Sequence, residues 1–164
     1  MTRRIPSTRE ILAWRALNRS VDESWVDWAV SMLQAGHDTL HLAILAGMTE
    51  PFNQFEMIAI VDKALAELGY DWSDTEIVLR HYVADVLQRM LAGQITSRDA
   101  LRGLMELCVE LGYPADLYKF YLLYFAQDDL RMSEVQGYWP DATRENIEEI
   151  IRQYTTRWLE ENKP

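Results

Sequence analysis

Thr49-Glu-Pro-Phe-Asn-Gln-Phe-Glu-Met-Ile-Ala-Ile-Val-Asp-Lys-Ala-Leu-Ala-Glu-Leu-Gly69 is the stretch whose reading decides the fold. On a helical wheel it is apolar nearly all round, with Glu56, Lys63 and Glu67 as its narrow polar stripe. A helix with so little polar surface belongs among other helices. The stretch therefore predicts a central helix, capped at Thr49, with Pro51 in its first turn and Gly69 at its end. Asp62 breaks the pattern, because it falls in the middle of the apolar arc.

Working outward, caps and glycines divide the 164 residues into about eight helices. Ser7 with Glu10 forms a capping box for a helix over 8–18, and Ser20 with Glu23 opens a second that Gly36 closes. A short third helix covers 38–46. After the central helix, Ser73 with Glu76 starts a fifth that runs to Gly93, and Thr96 or Ser97 starts a sixth that Gly112 ends. Pro114 opens a seventh, 115–127, and an apolar stripe through Ile147, Ile151 and Trp158 marks the last, 143–161. No run alternates with period two, so no strand is expected. Glu67-Leu-Gly-Tyr70 recurs as Glu110-Leu-Gly-Tyr113, a spacing that suits helical hairpins of the HEAT type. The expected fold is a single all-α domain over 1–164, a bundle of seven or eight antiparallel helices, with HEAT-like hairpins as an option.

Composition narrows the function classes. The net charge of −10 argues against nucleic-acid backbones and anionic membrane surfaces, and suits a basic protein partner. The charge is uneven: Arg3, Arg4, Arg9, Arg15 and Arg19 face Glu10 alone within 1–19, so the first helix is expected to dock on an acidic body. No apolar segment follows these arginines as in a secretory signal, and no run is long enough to span a membrane. The lone Cys108 fits a reducing cytoplasm. Phosphate-binding glycine loops and nucleophile elbows are absent from the sequence, and no cofactor is expected.

Four constellations could carry chemistry. Asp62 needs a partner if it is buried, and Arg80 sits at a matching level across an antiparallel hairpin, seven residues past Ser73 as Asp62 is seven before Gly69. An Asp62–Arg80 ion pair is expected, shared with Glu76. His37 and His41 have the i, i+4 spacing of zinc ligands, which would make a metal protein or a hydrolase working with nearby carboxylates. A helix that starts after His37 breaks that pair. The aromatic run Tyr118, Phe120, Tyr121, Tyr124 and Phe125 reads as a second buried helix. Finally, Asp128, Asp129, Glu134, Tyr138 and Trp139 lie in a segment, 127–142, without periodicity. Acidic and aromatic residues together suit a partner interface, and the alternative is that Trp139 plugs the packing of the last helix.

Leu45-Ala-Gly-Met-Thr-Glu-Pro-Phe-Asn-Gln-Phe-Glu56 resembles a stretch in a family of small bacterial all-helical proteins of unassigned function. The resemblance implies a bacterial cytoplasmic origin and carries over no catalytic residue. The leading expectation is a non-enzymatic acidic domain, similar to immunity or accessory proteins, that holds a basic partner. The rivals are the His37/His41 metal protein and a structural homo-oligomer with exposed tryptophans at its contact.

Overall fold

The computed structural model describes residues 4–163, so Arg3 lies outside the described residues. Eight helices follow one another: α1 (Thr8–Ala16), α2 (Glu23–Gln34), α3 (Leu40–Ala46), α4 (Gln54–Glu67), α5 (Thr75–Leu91), α6 (Ser97–Glu110), α7 (Ala115–Met132) and α8 (Ile147–Glu161). The fold is all-helical, with no strand among the described residues. It divides into two compact units, one ending at Tyr82 and one beginning at Val83, and the division falls within α5.

The helix starts follow side-chain acceptors. Ser7 and Glu10 form the capping box of α1, as the spacing predicts. Elsewhere a better acceptor takes the position. Asp22 caps α2 instead of Ser20, and Asn53 caps α4 through the Glu56 N–H at 3.1 Å, instead of Thr49. Asp74, not Ser73, accepts from Ile77 at the start of α5. Pro51, in a cis peptide with Glu50, precedes α4 and is not in its first turn. Asp and Asn are stronger N-caps than Thr, and proline disfavours helical backbone in the residue before it.

Four of the helix stops share one geometry. At Gly69 and Gly112 the chain adopts positive φ, and the following tyrosine N–H returns to a carbonyl five residues back: Tyr70 to Leu65 at 3.0 Å, Tyr113 to Cys108 at 2.8 Å. This is the Schellman closure, open to glycine because it has no Cβ. α2 and α5 end in the same way at Gly36 and Gly93. The Glu-Leu-Gly-Tyr echo is thus accounted for as a helix stop shared beyond the two copies.

In the first unit α3 packs on both α2 and α4. Trp25, Trp28, Leu42, Leu45, Met57 and Leu65 are fully buried, and the Trp28 indole donates to Thr8 Oγ1 at 3.1 Å. Gln54 clamps the backbone of Val21 from both sides, accepting from its N–H at 2.8 Å and donating to its carbonyl at 2.9 Å. α4 is not a helix buried on all sides. Met57, Val61, Ala64 and Leu65 form one buried stripe, while Ala59 and Ala66 are exposed and Phe55 is 92% exposed. Alanine and an outward first-turn phenylalanine had widened the apolar arc without belonging to the core.

Asp62 is half-buried and pairs with Arg15 of α1, not with Arg80. The guanidinium is bidentate, Nε to Oδ1 at 2.6 Å and Nη2 to Oδ2 at 3.1 Å. Arg80 turns instead to Glu76 on its own helix at 3.0 Å. An i, i+4 carboxylate is always within reach, whereas the level-matching that favoured Arg80 assumed a hairpin, and α4 packs chiefly on α3.

In the second unit α6 and α7 make the most extensive helix pairing, and α7 also packs on α8. Leu101, Leu104, Phe120 and Leu123 are fully buried. Phe120 meets the rings of Tyr154 and Trp158 edge-on at 5.1 and 5.9 Å, and the Trp158 indole donates to the Asp116 carbonyl at 3.2 Å. α7 runs to Met132, beyond the expected stop at Gln127, and α8 begins at Ile147 rather than at 143. Neither glycine nor proline stands between Asp116 and Met132 to end α7 earlier.

Two substitutions test this arrangement. Asp62→Asn should lower the unfolding free energy by about 1–2 kcal/mol in urea titrations, because it weakens a charge-assisted, partly buried pair. Arg80→Gln should stay within about 0.5 kcal/mol of the parent. The reverse order would reassign Asp62 to Arg80.

Candidate functional site

α7 is wetted on one side. Its buried stripe is Leu117, Phe120, Leu123, Tyr124, Ala126, Gln127 and Leu130. Tyr118, Tyr121 and Phe125 fall on the other side by their i, i+3 and i+7 spacing, and Asp129 and Met132 extend the same face. The aromatic run is therefore not wholly core. Phe120 and Tyr124 are buried, Tyr121 and Phe125 half-buried, and Tyr118 is 42% exposed.

These rings form a continuous ladder. Tyr118 stacks on Tyr121, 5.7 Å between centroids and 12° between planes. Tyr113, from the α6–α7 turn, meets Tyr121 edge-on at 5.5 Å. Tyr121 meets Phe125 at 4.9 Å, and Phe125 contacts both Tyr124 and Tyr138. Tyr113, Tyr118 and Tyr138 keep large exposed areas. Burial, and then the neighbouring phenols of Tyr113, Tyr138 and Tyr118, push the Tyr121 hydroxyl above the ordinary tyrosine range.

The residues read from the sequence as an interface separate in space and in role. Asp128 and Asp129 lie inside α7, not in the irregular connection. Asp128 is held by Arg98 of α6 at 2.9 Å, and Asp129 is half-buried. Glu134 is exposed, and Tyr138 joins the ladder. Trp139 is half-buried, packs edge-on against Tyr154 of α8 at 5.6 Å and lies 5.8 Å from the Lys119 ammonium, so it fills the packing of the last helix. One amide organises this connection. Gln136 donates to the Trp139 and Ala142 carbonyls and accepts from the N–H groups of Tyr138 and Trp139. It thereby presents Tyr138 outward and Trp139 inward.

His37 and His41 do not share a helix face, because α3 begins only at Leu40. His37 is exposed. His41 gives Nδ1 and its backbone N–H to the Glu67 carboxylate at 2.8 and 2.9 Å, and these bonds hold Glu67 below the usual carboxylate range. No three metal-ligating side chains gather among the described residues. Cys108 is buried and burial pushes its thiol up, which disfavours the nucleophilic thiolate. No helix among the described residues is long and apolar enough to cross a membrane. None of the six tryptophans is fully exposed.

Comparison with protein families, with curated proteins and with solved structures finds no match to this chain.

Tyrosine ionisation gives a direct check on the ladder. Tyr121 is raised above its unfolded value, so it contributes stability that is fully present below pH ~10 and is lost as pH rises through its folded pKa. Tyr154, raised chiefly by burial, acts in the same direction. Absorbance titration should show late-ionising tyrosines in the folded protein, one fewer after Tyr121→Phe. If the substitution removes only an ordinary titration, Tyr121 is not packed in the ladder.

Proposed function

We propose that the chain is a non-enzymatic protein-binding domain that holds a basic segment of its partner on the tyrosine ladder of α7. The observation that supports this reading is one exposed face combining three features: stacked tyrosine rings, the carboxylate of Asp129, and the negative end of the α7 dipole. Tyrosine contributes large, rigid contact area, and it concentrates among residues that dominate binding energy. Its π-face attracts arginine and lysine, and the C-terminal turn of a helix favours cations. The net charge of −10 steers a basic partner inward and repels nucleic acid. Tyr118, Tyr121, Phe125 and Met132 also fall on a heptad spacing, the pattern that receives a partner helix. An immunity or accessory protein that captures a basic effector in a bacterial cytoplasm would need such a face. Tyr113, Tyr118, Tyr121, Phe125, Asp129 and Tyr138 are its contact residues, while Asp128, through Arg98, and Trp139 support the face from behind.

A second reading is a homo-oligomer. Its support is in the first unit, where Phe55 is 92% and Leu40 66% exposed, an unusual exposure for residues of this size.

Titration with an amphipathic helical peptide bearing arginines, against its counterpart with glutamates at the same positions, tests the first reading. The arginine peptide should bind more tightly, and Tyr118→Ala should weaken it roughly tenfold or more. Equal binding of the two peptides would remove the proposal. A mass from light scattering that falls to the monomer only in Phe55→Ser would favour the second reading.

A further inference from the structure

Gln127 follows Tyr118 by nine residues, two and a half turns, and so projects from the opposite side of α7. It is only 7% exposed. Its Nε2 donates to Ser97 Oγ and to Glu148 Oε1, both at 2.8 Å, and Ser97 Oγ lies within 3.1 Å of both Glu148 oxygens. That network fixes the amide's orientation, because the reverse would press its oxygen against a carboxylate. Gln127 Oε1 is thereby left buried and without a hydrogen-bond partner. Buried acceptors are normally satisfied, so an orphan calls for a donor that arrives from elsewhere.

Gln127 lines a groove of about 470 Å³ between the start of α6, the last turns of α7 and the start of α8. Volumes of this order hold small ligands. Leu130 and Ile147 supply its apolar wall, and Arg98, Arg131 and Arg144 its cationic one. Arg98 is committed to Asp128. Arg144 uses Nε on the Leu130 carbonyl at 2.7 Å, which leaves both of its terminal nitrogens as donors. Arg131 makes no ion pair among the described residues. Glu148 is already occupied by Ser97 and Gln127. The groove thus offers two guanidinium groups, one missing donor and an apolar wall. A free phosphate would satisfy the first and leave the other two. An occupant that supplies an anion, an N–H donor and an apolar body would meet all three.

We propose that this groove binds the carboxylate end of an acylated α-amino acid with an apolar side chain. Arg131 and Arg144 take the carboxylate, the adjacent amide N–H meets Gln127 Oε1, and the side chain lies on Leu130 and Ile147. The chemistry is common to the C-terminus of a peptide and to a free N-acyl amino acid. The site is independent of the tyrosine ladder.

Calorimetric titration of the full chain with N-acetyl-Ala-Ala-Leu, its C-terminal amide, N-acetyl-leucine and 4-methylpentanoate separates the parts. The free-acid tripeptide should bind at least about tenfold more tightly than its amide, and N-acetyl-leucine several-fold more tightly than 4-methylpentanoate, which lacks the N–H. The double variant Arg131→Gln/Arg144→Gln, at exposed positions that leave the core untouched, should lose the preference for acid over amide. A tripeptide that outbinds N-acetyl-leucine assigns the groove to peptide ends, and equal binding assigns it to small N-acyl acids. Acid and amide binding alike, no binding by any probe, or an unaltered double variant would overturn the proposal.

Discussion

The burial of a single stripe of α7 is the constraint on which the second unit depends. Leu117, Phe120, Leu123 and Leu130 cover one side of an 18-residue rod. A fully buried side chain of this size contributes about 1.5–3 kcal/mol, so the rotation of the helix about its axis is not negotiable. Once that rotation is set, every other position on α7 is assigned. Tyr118, Tyr121 and Phe125 must face outward as a ladder, and Gln127 must face inward beneath the groove. The two candidate sites are consequences of one packing decision.

Features governed by short-range rules were legible in the sequence. The all-helical fold, the Ser7–Glu10 box, the start of α6 at Thr96 or Ser97 and the glycine stops all depend on residues within one turn of each other. What was missed depended on distant chain. Asp62 was rightly marked as needing a partner, but Arg15 lies 47 residues away, and nothing local places α1 beside α4. α7 runs past the expected stop at Gln127, where the Arg98 guanidinium, 30 residues away in the chain, holds Asp128 within the helix.

The candidate site was legible in part. The aromatic run reads as core in the sequence, since a wheel shows which residues are apolar and not which side is covered. Trp139 looked like an anchor, and the inward turn made by Gln136 was invisible without coordinates. Gln127 carries a signal of its own: it stands at the stripe spacing of Leu117, Phe120 and Tyr124, a polar residue in an apolar row, the same irregularity that Asp62 shows.

Arg98 stands between the two faces of α7. Its guanidinium pairs with Asp128, lies 5.8 Å from the centre of the Tyr124 ring, and forms part of the groove wall. One guanidinium thereby ties the first turn of α6 to the last turns of α7, so the wall of the groove and the back of the ladder share a single anchor.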